Sequence, residues 1–217
     1  MNTPSSQPPV ADDERPGPGE EYNPGPPTLP RQAATVILLR GDADGLELLL
    51  VKRNPAARFM GGVWVFPGGA VEQAEGDDDR AHRAAAVREL REEAGVALPD
   101  PAELVKFSRW ITPALVRTRF DTHFFLASLP PGQEPRVDGE ECVELGWFTP
   151  TGALDAHRAG EILLVFPTIK HLEQLSPFTS AAELLAYARG RTVEAVQPRV
   201  VVEGEVARVL LPGEPGY

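Results

Sequence analysis

The chain has 217 residues and a net charge of −11, from 32 Asp and Glu against 21 Lys and Arg. That length suits one domain with appendages, and an acidic balance without a basic patch speaks against a nucleic-acid surface. The single cysteine, Cys142, excludes an intrachain disulfide and fits a reducing, cytoplasmic setting in which it is a small buried hydrophobe. With neither an N-terminal apolar h-region nor an apolar run of about 18 residues, no signal peptide and no membrane span are expected.

Residues 1–30 contain nine prolines among Gly, Ser, Asp and Glu. They cannot bury enough apolar surface to offset their ordering entropy, so a disordered tail is expected there and a folded domain over 31–217. Order begins with the strand Ala33–Arg40, turns at Gly41–Gly45, and returns as Leu46–Arg53. Both runs are rich in Leu, Ile and Val, so at least one is a central strand. Residues 54–62 form a loop. Val63–Phe66 is a short strand running into Pro67-Gly68-Gly69, where two glycines allow the backbone to approach an ion or a phosphate closely.

A helix is predicted over 79–94, with Asp77–Asp79 as N-cap candidates and Gly95 as the αL stop. Ala86, Val87, Leu90 and Ala94 make its apolar stripe. Beside that stripe, Glu89, Glu92 and Glu93 share a face at i,i+3 and i,i+4 spacing. Like charges there repel, an arrangement that makes sense around a hard divalent cation.

Further on, Val105–Ile111 and Phe120–Ala127 read as strands. Arg117, Arg119 and His123 are placed either to reach a phosphate or an adenine, or as polar residues of a strand edge. Residues 139–148 are an acidic loop entering a strand, in which Glu141 and Glu144 also read as solvent-facing. Helices are predicted from about 149 to 157, from 166 through Leu175, and over 181–189, capped by Thr179-Ser180 and stopped by Gly190. Residues 197–211 alternate around Glu203-Gly204-Glu205 as a closing hairpin.

Phe66-Pro67-Gly68-Gly69, Glu75 and Arg88-Glu89-Leu90-Arg91-Glu92-Glu93-Ala94-Gly95-Val96 resemble the Nudix box. That pattern runs Gly, five residues, Glu, seven residues, then Arg-Glu-apolar-any-Glu-Glu-any-Gly-apolar. Here twelve residues separate Glu75 from Arg88, an insertion expected to lengthen the loop before the helix. It leaves Glu75 and Glu72 as alternatives for the first glutamate. The resemblance implies an α/β/α sandwich with a mixed sheet and the box as loop and helix on one face. It also implies hydrolysis of a diphosphate linking a nucleoside to another group, with Mg2+ or Mn2+ held by Glu89, Glu92 and Glu93 and the Gly68 carbonyl.

In the same reading Arg88 orients a box glutamate, and Glu141, with Glu144 and Glu140 behind it, is the candidate distal carboxylate. Glu89, Glu141 or a metal-bound hydroxide serves as the base. Arg58, followed after three residues by Gly62 and after three more by Phe66-Pro67-Gly68-Gly69, resembles part of a motif of Nudix coenzyme A diphosphatases. Arg58 and Arg119 are therefore the substrate-binding candidates. The implied substrate is coenzyme A or an acyl ester, with ADP-ribose or NADH as the alternative and a non-catalytic nucleotide-sensing domain as the second. The implied partner is a small nucleotide-type molecule, without nucleic acid or membrane, and a homodimer is left open.

Overall fold

The computed structural model describes residues 21–217 except 24, 43, 44, 77, 204 and 205. The strands are β1 (Arg31–Arg40), β2 (Glu47–Arg53), β3 (Trp64–Val65), β4 (Gly68–Ala70), β5 (Val105–Ile111), β6 (Phe120–Ser128), β7 (Cys142–Phe148), β8 (Ala195–Val196), β9 (Arg199–Glu203) and β10 (Val206–Leu210). The helices are α1 (Asp79–Ala94), α2 (Pro150–Arg158), α3 (Phe166–Leu175) and α4 (Ala181–Arg189).

One mixed sheet runs in the order β3-β2-β1-β6-β5-β8, with β4 also on β1 and β7 on β2; β9 and β10 pair separately. The β1–β6 and β5–β8 pairs are parallel and the others antiparallel. β1 is the central strand. Its run Val36–Leu39 is wholly buried, because layers cover both faces of the sheet and the strand has no solvent side to alternate with.

On one face, Ala34, Val36, Leu38, Val51 and Phe125 pack under Ala85, Ala86, Leu90 and Ala94 of α1. On the other, Ile37, Leu48, Leu50, Phe107 and Leu126 pack under Ala153 of α2, Leu172 and Leu175 of α3, and Leu184 of α4. The architecture is the α/β/α sandwich expected. Asp78 caps α1 by accepting from the Ala81 N–H at 2.9 Å, and Gly95, at φ 66°, ends it.

Three differences from expectation have physical reasons. Gly68-Gly69 is not only a turn: it pairs with Thr35 and Ala34 as β4. The insertion between Glu75 and Arg88 lengthens the loop only slightly, since most of it lies within α1, which begins at Asp79 as expected. An N-cap at Asp78 and three alanines at 84–86 favour helix over loop there. The tail differs as well. Residues 1–20 lie outside the described residues, but 21–30 are tied to the loop before β6. The Asn23 N–H donates to the Leu115 carbonyl and the Arg117 N–H to that of Glu21. The Thr28 carbonyl accepts from Arg119 at 2.5 Å. Backbone and guanidinium hydrogen bonds supply there what apolar burial cannot.

A chain beginning at residue 31 should therefore melt roughly 3–8 °C below one beginning at residue 21, since Arg119 loses an acceptor for a buried charge. Thermal melts of the two chains check this, and equal melting temperatures would show that the segment contributes nothing.

His171 of α3 is buried in the core, where its Nδ1–H donates to the Pro167 carbonyl and its Nε2 accepts from the Ser108 hydroxyl, both at 2.6 Å. Burial holds its pKa down to about 4 from 6.5. The unfolded chain thus takes up a proton first, so this contribution to stability is complete above about pH 6.5 and is lost as pH falls toward 4. The melting temperature should fall between pH 7.5 and pH 5. The double substitution Ser108→Ala/His171→Leu, which removes both polar partners together, should make that fall shallower.

Candidate active site

The box carboxylates stand at the edge of the buried stripe of α1. Helical spacing carries Glu89 and Glu93 one turn apart beside Leu90 and Ala94, and both are buried, Glu93 to 2 % exposure. The Glu93 carboxylate accepts from the Gly68 N–H at 2.9 Å and lies 3.4 Å from Nη1 of Arg53. Arg88 reaches across the front of the helix. It donates to Glu75 at 3.1 Å, Glu89 at 2.8 Å, Glu92 at 3.1 Å and the Ala70 carbonyl at 3.0 Å. Glu75 thus fills the first glutamate position, with the Glu72 N–H donating to it at 2.7 Å, while Glu72 itself lines the cleft. Arg88, expected to orient a box glutamate, is in contact with Glu75, Glu89 and Glu92.

Close approach bears on both glycines, against the β1 backbone at Gly68 and against the Glu89 side chain at Gly69. A Cβ on Gly69 would lie 2.2 Å from a Glu89 carboxylate oxygen, and one on Gly68 2.5 Å from the Thr35 hydroxyl.

Burial raises the pKa of Glu89; Arg88 works against that shift, and Glu92 and Glu141 add to it. Burial pushes Glu93 up to about 7, opposed by the Gly68 N–H and Arg53 and assisted by Glu89 and Glu141. A cluster of oxygen donors whose ionisation is this unfavourable suits a hard divalent cation. Among the described residues no three such side chains stand ready-made for an ion, because Arg88, Arg53 and the Gly68 N–H hold them. An ion would have to take their place.

Glu141 faces the same cleft from the loop before β7, exposed. Asp138 builds that loop: its carboxylate accepts from the N–H groups of Glu140, Glu141 and Cys142 at 3.1, 2.7 and 2.9 Å. Burial disfavours its charge, but these three donors outweigh burial and hold its pKa below the ordinary range. Glu140 lines the cleft too, whereas Glu144 pairs with Lys52 at 2.6 Å. Cys142 is buried, as expected.

The cleft measures about 1090 Å³. The structure brings Gly68, Arg88, Glu89, Glu92, Glu93 and Glu141 to its walls, together with Arg53 and Asp138. Sequence reasoning passed over both of these last two. Arg53 ends β2 at a break in register with β7, and its buried Nε has no partner among the described residues. Arg119 is a correction. It is not among the lining residues, for its buried guanidinium donates to the carbonyls of Thr112 and Thr28, drawn there by residues 21–30. Arg58 is not among the lining residues either; it is exposed, and Phe59 and Met60, which follow it in the chain, do line the cleft. His123 is buried on the opposite face, stacked on His82 at 3.8 Å.

This geometry agrees with the comparisons with known proteins. The NUDIX domain family matches residues 29–165, so the chain belongs to the Nudix family and is a hydrolase of that family. It is 26% identical to the human acyl-coenzyme A diphosphatase NUDT19 over 88% of this chain and 81% of that one. It is 30% identical to the putative nudix hydrolase 7 of Caenorhabditis elegans, over 67% of this chain and 60% of that protein's length. Among solved structures, the NUDIX hydrolase of Alicyclobacillus acidocaldarius superposes with a TM-score of 0.64 at 27% identity, covering 73% of this chain and 96% of that one. Among the described residues, no helix is long and apolar enough to cross a membrane.

Because charging Glu93 in the fold is unfavourable above about pH 7, Glu93→Gln should raise the melting temperature at pH 8 without added metal. The gain should shrink at pH 5.5, where the native carboxyl is already protonated. The same variant should lose stabilisation by millimolar Mg2+ or Mn2+. Metal-dependent stabilisation equal to that of the parent chain would remove Glu93 from the ion site.

Proposed function

We propose that the chain hydrolyses the diphosphate of coenzyme A or an acyl-coenzyme A, with Mg2+ or Mn2+. The observation that carries the reading is the buried pair Glu89 and Glu93, whose charge is costly without a cation, at the mouth of a cleft large enough for a nucleotide-type ligand. Glu89, Glu92 and Glu93, with the Gly68 carbonyl, would hold the ion. Bound there, it offsets the charge of the diphosphate and makes water more acidic.

The residues of the chain divide the remaining work. Arg88 keeps Glu89 and Glu92 in place through charge-assisted bonds. Glu141, exposed to the cleft, takes the proton from the attacking water, the role of general base; Glu89 is the alternative. Water adds to one phosphorus, the bridging P–O bond breaks, and the products are two phosphate monoesters. Arg53 supplies a cation beside Glu93 for the diphosphate oxygens.

The choice of coenzyme A rests on the diphosphatase relatives and on Arg58. That arginine is exposed, directly precedes Phe59 of the cleft wall, and makes no side-chain hydrogen bond among the described residues. Coenzyme A carries a 3′-phosphate that ADP-ribose and NADH lack, and a guanidinium suits it. Such a contact contributes about 1.5–3 kcal/mol.

A panel of coenzyme A, acetyl-coenzyme A, ADP-ribose and NADH, assayed with each metal, tests the substrate. Brisk cleavage of ADP-ribose without cleavage of coenzyme A would replace it. Arg58→Ala should raise KM for coenzyme A roughly tenfold or more while changing KM for dephospho-coenzyme A little, with kcat nearly constant. Equal losses on the two substrates would move Arg58 to the diphosphate.

A further inference from the structure

Glu140 and Glu141 are exposed, and an exposed loop can leave its backbone groups to water. This loop does not. The N–H groups of Glu140 and Glu141 donate to the Asp138 carboxylate at 3.1 and 2.7 Å. The Glu140 carbonyl accepts from Nδ2 of Asn54, and the Glu141 carbonyl from the Asn54 N–H, both at 2.8 Å. All four polar backbone groups of the two glutamates are thus held, and Asp138 and Asn54 alone hold them. Asn54 is itself fixed, because its Oδ1 accepts from the Ala56 N–H at 2.9 Å. Gly139, at φ 80°, makes the turn, and its N–H closes it on the Cys142 carbonyl at 2.9 Å.

Asp138 belongs to the loop itself. Asn54 comes from the far side of the junction with β2, directly after Arg53, whose Nη1 lies 3.4 Å from Glu93. The pairing of β2 with β7 shifts register at this point. Lys52 faces Glu144 and Arg53 faces Cys142, so Val143 is the extra residue of β7. A bulge bends its strand and re-aims the side chains beyond it. Here Cys142 enters the core and Glu141, the residue before it, faces the cleft. Through Asn54, Arg53 and Glu141 are set in register with each other.

We propose that Asp138 and Asn54 are positioning residues for hydrolysis: they clamp the backbone of Glu140 and Glu141, so that the Glu141 carboxylate swings from a fixed point in the cleft wall. The inference rests on the reading of Glu141 as general base. Such a base contributes only while it stands within hydrogen-bond reach of the attacking water. A glutamate on a loose loop spends most of its time elsewhere, and displacement by a single ångström is costly to the rate. The chemistry of the clamp explains the residue types. Two carboxylate oxygens accept from three N–H groups at Asp138, which an amide cannot do, since its NH2 would meet backbone N–H groups. At Asn54 one side chain must both donate to Glu140 and accept from Ala56, which a carboxylate cannot do.

The test is steady-state kinetics of the full chain in Mg2+, on whichever of coenzyme A and ADP-ribose it cleaves. Glu141→Gln measures the base itself and should lower kcat about a hundredfold or more. Asp138→Asn and Asn54→Ser, which act from separate elements, should each lower kcat roughly tenfold or more and leave KM within about threefold. Added to Glu141→Gln, neither should lower kcat by more than about a further twofold, because the loop then has no base to position. Equal losses with and without Glu141 would make the clamp merely structural and overturn the proposal. Parental kcat in both folded clamp variants would overturn it too. Parental kcat in Glu141→Gln would remove the base and the clamp together, with diphosphate hydrolysis left standing. A parent chain that cleaves neither substrate would overturn the hydrolytic reading itself.

Discussion

Two carboxylates held out of water on the face of one helix are the constraint around which the site is arranged. A buried carboxylate is unfavourable unless it finds donors or a cation. Glu93 takes the Gly68 N–H and Arg53, and Glu89 takes Arg88. Each of those partners has structural requirements of its own. Gly68 can offer its N–H only because β4 lies hard against β1, which a side chain at 68 would prevent. Arg88 can span Glu75, Glu89 and Glu92 only because the turn at 72–75 returns Glu75 to the helix. The glycine pair, the bulge that ends β2 and the turn before α1 are thus parts of a single electrostatic arrangement.

The sheet sets that arrangement at one end of a long floor. Helices α2–α4 cover the inner part of the face shared by Ile37, Leu48 and Leu126. Toward residues 31–35 and 120–124 the same face is open and becomes the cleft. Core and binding surface are therefore adjacent stretches of the same strands, and the change from Ile and Leu to Ala and Thr along β1 marks where packing ends. The C-terminal helices have a place in this scheme too, since Val165, Pro167 and Thr168 at the start of α3 form part of the wall.

Much of this was legible in the sequence because it is local. The period of α1, its Asp78 cap and its glycine stop depend on neighbours within a few residues, and its limits came out as expected. The β1–β2 hairpin and the three C-terminal helices followed from turn and cap residues in the same way. What escaped is tertiary. Gly68-Gly69 looks like a turn until β1 is beside it. Asp138 looks like one more acid until its three backbone donors are seen, and Arg53 looks like a strand end until Glu93 approaches from a helix 40 positions later. Arg119 has the right chemistry for a phosphate, yet carbonyls from the segment before β1 claim it. Residue type announces what a side chain can bind, and the fold decides what reaches it.

The parallel pairing of β1 with β6 has a consequence for how the chain is made. Arg31 pairs with Phe120, 120 − 31 = 89 positions away, and Leu39 with Ser128 at the same separation. A ribosome adding about 5–20 residues per second reaches that partner on the order of ten seconds after β1 emerges. Over that interval β1, with its Val36–Leu39 run, has β2 on one side and an open backbone edge on the other. Non-local parallel pairing is slow even once the chain is complete. The interval is the period of greatest exposure to association between nascent copies.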